Sequence, residues 1–319
     1  MTHDLSNLSI IIVTWRGDAV LADCLDSLSA SCGAAPEIVV VDNDAAESTR
    51  ELVARYANAK YLASPGNPGF AGGNNLGLRA CSRPFILLLN NDTVVHEEPF
   101  SQLIGYLDEH PEVGAVQGTL KLVQSGDFYD ECGSRLSRIG ELADTHRLEP
   151  MSKVVATHPV YHAKGACLLF RREALDCLGG VLFYDHFRSY GEDTDFCHRL
   201  WLAGYEVHYV AMPAVDHRCG VTAAKLPRTE IEAAIIANRV FSFLVNFGWY
   251  GYLRILLPLL AVYIIRCVGT TLLGNFGNAK IYFVALASVW RRRVFLAPAR
   301  RQVQSSRRIS DREWLKKVG

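Results

Sequence analysis

The stretch LLLNNDTVV, Leu87 to Val95, decides the fold, because an apolar run stops abruptly on two amides and a carboxylate, Asn90, Asn91 and Asp92. Taken alone, a turn accounts for it, since Asn and Asp side chains cap turns and tolerate positive φ. The segments around it supply context. LSIIIVTW (Leu8 to Trp15) is a β-branched strand, AVLADCLDSLSASC behind it has helical spacing, and EIVVVDND (Glu37 to Asp44) is a second buried strand. Strand, helix, strand is a βαβ unit. ESTRELVARYA adds a helix, AKYLASP a short third strand, and FILLLNND a fourth, after a helix that begins near Gly73. Such strands alternating with helices imply an α/β fold, its mainly parallel sheet covered on both faces. In open sheets of this kind ligands bind beyond the carboxyl ends of the strands.

Those ends share a chemistry. The first strand runs into Thr14, Trp15 and Arg16, the second into Asp42, Asn43 and Asp44, and the fourth into Asn90, Asn91 and Asp92. Between them lies NPGFAGGNNLGL, Asn67 to Leu78. Its four glycines either let backbone approach a ligand or serve turns and helix packing. With no Gly-Lys-Ser/Thr and no G-x-G-x-x-G after the first strand, it is not a phosphate-binding P-loop or dinucleotide fingerprint. Further on, ATHPVYHAKGACLLFRREAL puts Gly165 and Ala166 on a strand, where small residues leave room for a ligand. FRSYGEDTDFCHRLWLAGYEVHYVAMPAVDHRCG then crowds Glu192, Asp193 and Asp195 at a helix start. The helix dipole favours acids there, and capping and catalysis can coexist. His217 follows a strand-like run and is open to a structural or a ligand role.

Composition bounds the rest. At 319 residues and 50% hydrophobic, the chain buries a full core and is not disordered. Its 33 basic and 33 acidic residues balance, yet Arg291 to Gly319 hold ten Lys/Arg against only Asp311 and Glu313. A mildly acidic body thus carries a basic tail suited to phosphate groups of lipid or nucleic acid, or simply to solvent. Nine cysteines form no C-x-x-C and no His-paired zinc spacing, as expected of buried thiols in a reducing compartment. MTHDLSNLSIIIVTW lacks the pattern of a secretory signal, so the bulk is expected in the cytoplasm.

SIIIVTW, VVVDND, NPGFAGGNNLGL, LLLNNDT, KGACLLFRRE, GEDTDFCHRLWLAGY and HRCG, in this order, resemble the family 2 glycosyltransferases of the GT-A fold, in particular the bacterial rhamnosyltransferase-like branch. The resemblance covers about residues 8 to 245. It implies a Rossmann-like mixed sheet flanked by helices, in a domain of residues 1–245. In the family, the strand corresponding to Leu87–Asn90 ends in an Asp-x-Asp-like signature that presents a divalent metal and the donor diphosphate. Here an amide, Asn90, replaces the first carboxylate. The resemblance therefore makes Asp92 and His217 the metal ligands, for Mg²⁺ or Mn²⁺, with Asn91 beside the donor. It matches Thr14 and Asp42 to residues that hold nucleobase and ribose, and Asn67, Gly69, Phe70 and Asn74 to the loop lining nucleotide and sugar. Gly165 and Ala166 match the wall facing the donor sugar. Asp193 matches the catalytic base, with Glu192 as runner-up. The implied reaction is inverting transfer from a dTDP- or UDP-sugar, dTDP-L-rhamnose above others, to a glycan or polyprenyl-diphosphate-linked acceptor for O-antigen, capsule or cell wall. The missing carboxylate at Asn90 motivates an alternative, a degenerate relative that binds nucleotide sugar or glycan without turnover.

Residues 246–319 are read from composition. LRILLPLLAVYII, Leu253 to Ile265, is bracketed by Arg254 and Arg266 and interrupted by Pro258, whereas a spanning helix needs about 20 mostly apolar residues. IYFVALASVW is shorter and leads into Arg291, Arg292 and Arg293. The segments are expected as helices lying in an anionic membrane surface, peripheral on the cytoplasmic face of the inner (plasma) membrane, with no nucleic-acid partner. A re-entrant hairpin and a buried core helix are the competing readings.

Overall fold

The computed structural model describes residues 4–96, 99–123, 126–218 and 227–318, so Cys219 and Gly220 of the HRCG segment lie outside the described residues. The first half runs β1 (Leu8–Thr14), α1 (Asp18–Cys32), β2 (Glu37–Asp42), α2 (Glu47–Val53), β3 (Ala59–Ala63), α3 (Gly69–Ala80) and β4 (Phe85–Asn90). There follow β5 (Thr93–Val95), α4 (Pro99–Glu109) and β6 (Val113–Leu122), then the short strands β7 (Tyr129–Glu131), β8 (Ser134–Leu136), β9 (Leu142–Asp144) and β10 (His158–Pro159). β11 (Cys167–Arg171), α5 (Arg172–Cys177), α6 (Glu192–Leu202) and β12 (Glu206–His217) complete the sheet. Its order is β10-β12-β6-β11-β4-β1-β2-β3, with β5 added on β12 and β7 on β6. β3, β2, β1 and β4 are mutually parallel, while β11 runs antiparallel between β4 and β6.

The apolar runs form strands because both faces are covered. Leu8, Ile10 and Ile12 of β1 enter one core with Leu21, Leu25 and Leu28 of α1. Ile11 enters the other, with Phe196, Leu200 and Trp201 of α6. β2 and β4 alternate in the same way, which is the period of two imposed by the pleat.

The glycines of NPGFAGGNNLGL have packing reasons. A Cβ on Gly77 would lie 2.5 Å from Ile11 Cγ2, and one on Gly73 2.7 Å from Val13 Cγ1, so α3 rests directly on β1. Gly69 has φ +82°, and a Cβ there would collide with the Arg188 carbonyl, so no side chain fits. The helix also starts at Gly69, earlier than the Gly73 start expected. Gly165 and Ala166 are not on a strand, as the sequence suggested, but in the turn before β11, and His217 is the last residue of β12 rather than beyond it.

Beyond the sheet, α7 (Arg228–Asn246) is tied to α6 by Asp195. Its carboxylate accepts from Arg199 Nε (2.8 Å), Ser242 Oγ (2.6 Å) and Asn246 Nδ2 (2.9 Å). This third acid of the cluster is therefore structural. α8 (Trp249–Gly251), a π-helical stretch (Tyr252–Leu256) and α9 (Leu257–Leu272) run on from one another, followed by α10 (Phe276–Arg291), α11 (Arg293–Ser306) and α12 (Asp311–Val318). The continuous helix Trp249–Leu272 is 24 residues, long and apolar enough by length and composition to cross a membrane, more than the short apolar run suggested. One side belongs to the domain core through Ile255, Leu256, Leu259 and Tyr263, and Arg266 pairs with Glu141 at 2.5 Å.

Part of the basic tail folds back onto the domain. Arg300 donates to the carbonyls of Leu244, Val245 and Phe247 at 3.1, 3.1 and 2.7 Å, satisfying the open C-terminus of α7. Arg292 donates to Asn238 Oδ1 at 2.6 Å. Trp314 is fully buried and stacks on Tyr161 with ring centroids 5.4 Å apart.

Candidate active site

Two clefts open at the carboxyl ends of β1 and β4. The first, of about 370 Å³, is lined by Thr14 and Trp15 after β1, Asn43 after β2, Asn67, Gly69 and Phe70 at the start of α3, and residues 186–190. Thr14 Oγ1 accepts from Asn91 Nδ2 at 2.9 Å, so the ends of β1 and β4 are joined beneath it. Asn43 donates to the Gly69 carbonyl at 3.0 Å, while its buried Oδ1 has no protein partner. A strap over α3 closes one side: Ala71 N donates to Arg188 O at 2.8 Å, Phe70 N to Ser189 Oγ at 3.2 Å and Arg188 Nη2 to Asn67 O at 2.8 Å. Asn67, Arg188 and Tyr190 have φ of 44°, 59° and 73°. Non-glycine residues rarely adopt such values, and clusters of them accompany binding sites.

Two of the expected nucleotide residues stand outside both cleft linings. Asp42 Oδ1 accepts from Asp44 N at 2.9 Å, and Oδ2 from Ala46 N at 2.7 Å and Tyr61 Oη at 3.2 Å, so its carboxylate shapes the loop after β2. Asn74 donates to the Phe70 carbonyl one turn back, at 2.9 Å, within α3.

The second cleft, about 560 Å³, gathers Asn91, Asp92, Gly165, Ala166, Glu192, Asp193 and His217, with Phe70 shared between the two. Pairing of β12 with β5 sets His217 opposite Thr93 and hence beside Asp92. His217 Nε2 is 3.4 Å from Asp92 Oδ1, a buried oxygen that has no hydrogen bond. Among the described residues no group of three or more His, Cys, Asp or Glu side chains is placed to hold a metal. A carboxylate and an imidazole are nevertheless a fitting partial donor set for Mn²⁺ or Mg²⁺, which keep waters and take substrate phosphates as further ligands. The other nitrogen of His217 is 2.8 Å from Asp130 Oδ2, and Lys164 Nζ is 2.6 Å from the same oxygen. Burial opposes a charge on Asp130, but these two partners override it and hold its carboxyl well below the usual carboxylate range.

Glu192 and Asp193 open α6 from a left-handed Gly191 with φ 87°. Asp193 Oδ2 accepts from Gly165 N at 3.0 Å and lies 3.3 Å from His162 Nε2, and Oδ1 accepts from Thr194 N at 2.8 Å. Burial works against its charge, yet His162 and these two amides bring its pKa down to about 2. Burial, reinforced by the neighbouring Asp193 charge, drives Glu192 the other way, well above the ordinary carboxyl range, and its Oε2 is buried without a partner. A Cβ on Gly165 would lie 3.3 Å from both Asp193 Oδ2 and Phe70 Cε1, so glycine there preserves open space between the two.

Sequence reasoning named Asn43 only as a strand-end residue and missed Asp130, Glu131, His162 and Lys164. His162 and Lys164 stand in ATHPVYHAKGACLLFRREAL, three residues and one residue before Gly165, without any spacing that marks a ligand. Asp130 and Glu131 lie on β7, whose three residues carry no periodic signal.

The family model described as Glycosyl transferase family 2 matches residues 9–179. The low-salt glycan biosynthesis hexosyltransferase Agl10 of Haloferax volcanii is 29% identical over 203 residues, 61% of this chain and 62% of that protein. The N-acetylglucosaminyl-diphospho-decaprenol L-rhamnosyltransferase of Mycobacterium tuberculosis is 25% identical over 272 residues, 76% of this chain and 86% of the relative. The match thus spans less than two thirds of the length of Agl10, but most of the rhamnosyltransferase. In structure, the chain resembles the mannosyltransferase PcManGT from Pyrobaculum calidifontis in complex with GDP-Man and Mn²⁺, with TM-score 0.55 and 18% identity over 98% of this chain and 85% of that one. It also resembles GalNAc-T7 with UDP, GalNAc and Mn²⁺, with TM-score 0.66 and 14% identity over 98% of this chain and 57% of that one. These likenesses establish the GT-A fold, and with more than half its length matched by the family model the chain belongs to glycosyl transferase family 2.

Proposed function

We propose that the protein is an inverting glycosyltransferase of cell-surface polysaccharide synthesis. It moves a sugar, L-rhamnose from dTDP-L-rhamnose, to a hydroxyl of a glycan or polyprenyl-diphosphate-linked acceptor. The observation that carries this reading is the Asp193 carboxylate, kept ionised in the same cleft as the Asp92–His217 pair. The likeness to a rhamnosyltransferase whose name includes a diphospho-decaprenol carrier supports both the deoxyhexose and the lipid-linked acceptor.

In this reading Thr14, Asn43, Asn67 and Gly69 border the nucleoside, and Phe70, Gly165 and Ala166 leave space for the sugar. Asp92 and His217 would hold the divalent cation, which when bound neutralises charge on the departing nucleoside diphosphate. Asp193 accepts the acceptor's hydroxyl proton as that oxygen bonds to the anomeric carbon. The bond from that carbon to the diphosphate oxygen breaks, its electron pair leaves with the diphosphate, and attack from the opposite face inverts the configuration. Burial and the neighbouring Asp193 charge push the Glu192 carboxyl up, so in this reading Glu192 is the runner-up for the base.

The exposed apolar side chains of α9 and α10, Ile265 (70% exposed), Leu272 (82%), Phe283 (62%) and Trp290 (67%) among them, support a peripheral seat on a membrane surface, which in this reading is the cytoplasmic face. The amide at Asn90 favours a second reading, binding without turnover. Release of dTDP or UDP from a panel of sugar nucleotides, with a membrane extract as acceptor and with Mn²⁺, Mg²⁺ or EDTA, separates the two. Acceptor-dependent release that EDTA abolishes is expected. Tight nucleotide-sugar binding without release under any of these conditions establishes the second reading.

A further inference from the structure

We propose that Asp130 is a positioning residue that fixes the tautomer of His217 and thereby builds the metal side of the cleft. The inference rests on the metal-dependent reading above and extends it to a residue outside the motifs quoted for the family resemblance. Asp130 is fully buried on β7, a strand outside every motif of the family resemblance. Its Oδ2 lies 2.8 Å from His217 Nδ1. An ionised carboxylate only accepts hydrogen bonds, so Nδ1 must carry the hydrogen. In the neutral ring the lone pair then sits on Nε2, the nitrogen 3.4 Å from Asp92 Oδ1.

The remaining contacts keep this arrangement in place. Lys164 Nζ, 2.6 Å from the same Asp130 oxygen, supplies the counter-charge that a buried carboxylate requires. Arg147 Nη1 adds a longer contact to Oδ1, 3.4 Å, from a half-exposed position. Asp92 Oδ1 is buried and has no hydrogen-bond partner. In the neutral ring the Nε2 lone pair faces both the Asn90 amide, 3.4 Å away, and the Asp92 oxygen at the same distance; a cation between nitrogen and carboxylate turns the second, repulsive contact into an attractive one. With a cation at its open end, the row Asp92, His217, Asp130, Lys164 alternates acceptors with donors; in its absence a proton on Nε2 fills the same place. A second carboxylate in the Asn90 position would add charge there. Without it, orientation of the imidazole carries more of the binding, which is the role that carboxylate partners of metal-bound histidines perform.

The test uses the full-length protein and Mn²⁺ itself, followed by electron paramagnetic resonance in the presence of UDP or dTDP. Asp130→Asn, whose amide can turn a donor toward the ring and favour the wrong tautomer, is expected to weaken Mn²⁺ binding by about 10- to 100-fold. In a His217→Ala background the same substitution is expected to change it less than about twofold, because the coupling between the two residues is gone. Arg147→Gln, which removes the contact to Asp130 Oδ1, should leave Mn²⁺ affinity within about twofold of wild type. A wild type that binds no Mn²⁺ overturns the metal reading and this inference together. Equal Mn²⁺ affinity of wild type and Asp130→Asn overturns this inference alone. Should Asp130→Asn fail to fold, ¹⁵N spectra of the imidazoles in metal-free wild type, recorded at a pH where the His217 ring is neutral, decide it: an Nδ1–H tautomer of His217 is expected, and an Nε2–H tautomer refutes the proposal.

Discussion

Glu192 and Asp193 are neighbours at the first turn of α6, yet their surroundings push their carboxyls in opposite directions. Asp193 accepts from Gly165 N and Thr194 N, lies 3.3 Å from His162 Nε2 and is held at about 2, while Glu192 is buried with an unpartnered oxygen and shifted well up. Asp193→Asn should therefore lower kcat by about 10² to 10⁴-fold, with donor affinity within about threefold of wild type. Glu192→Gln should retain far more turnover, since a neutral acid and an amide differ little. The comparison is made at saturating donor with a competent acceptor. An inactive Glu192→Gln beside an active Asp193→Asn would reverse the assignment.

The contact between His162 and Asp193 makes a piece of stability depend on pH. Burial opposes both charges, but each partner favours the other: His162 is raised above its usual value and Asp193 lowered to about 2. The histidine's contribution is complete below its unfolded value and fades as pH rises through the raised one. The carboxylate's is complete above its unfolded value and fades as pH falls toward 2. Wild type should thus exceed His162→Gln in unfolding free energy most between about pH 4 and 6.5, by a margin on the order of 1–2 kcal/mol, with the margin shrinking on either side. A margin that stays flat from about pH 3 to 9 would contradict the pairing.

Much of this was legible in the sequence because the strands announce themselves. LSIIIVT, EIVVVD and FILLLN are continuous apolar runs, and both faces of the sheet are indeed covered. Of the amide and acid residues at their ends, Asn43, Asn90, Asn91 and Asp92 line the two adjacent clefts, while Asp42 and Asp44 line neither. What was not legible came from long-range contacts. Asp130 reaches His217 across 87 positions and His162 reaches Asp193 from a segment with no regular period. The glycines of NPGFAGGNNLGL read as ligand loop or packing alike: the closeness of α3 to Ile11 and Val13 gives Gly77 and Gly73 a packing reason, while Gly69 lines the first cleft. The arginines of the tail looked like a solvated or lipid-facing run, yet Arg292, Arg300 and Arg307 bond to Asn238, the end of α7 and Asp311.

The loop after β2 separates nucleotide contact from loop architecture. Asp42→Ala removes the acceptor for Asp44 N, Ala46 N and Tyr61 Oη, so it should lower Tm by the equivalent of roughly 2–4 kcal/mol. Asn43, whose Oδ1 is unpartnered in the first cleft, should behave differently. Asn43→Ala is expected to weaken dTDP or UDP binding by calorimetry with and without EDTA, at a smaller cost in Tm. If Asp42→Ala kept wild-type Tm and lost only nucleotide affinity, Asp42 would be the direct contact.

The tail should prove to be part of the folded domain. Trp314 is fully buried, stacked on Tyr161 and close to His198 and Phe247. Trp314→Ala should cost about 3–5 kcal/mol, as for other large aromatic truncations in cores. Chains ending before Arg291 should expose α7's last carbonyls and aggregate. A soluble, cooperatively melting truncation would show the contacts to be incidental.

Membrane attachment should instead depend on the apolar side chains that the domain leaves uncovered. Ile265 and Phe283 are 70% and 62% exposed, whereas Ile255 and Leu259, on the same continuous helical run as Ile265, are buried against the core. Substitution of the exposed pair can therefore change partitioning without touching packing. Inserting an Ile or Phe side chain into lipid is worth about 1.5–3 kcal/mol. Ile265→Asp with Phe283→Asp should thus lower binding to anionic liposomes by about 100-fold or more, at unchanged Tm, with sedimentation as the readout. Salt distinguishes the apolar from the charged contribution: raising ionic strength weakens what Arg291 and Arg293 supply but leaves the apolar term. Loss of binding in salt alone, with the double substitution silent, would assign attachment to the arginines and leave the apolar faces of α9 and α10 without this role.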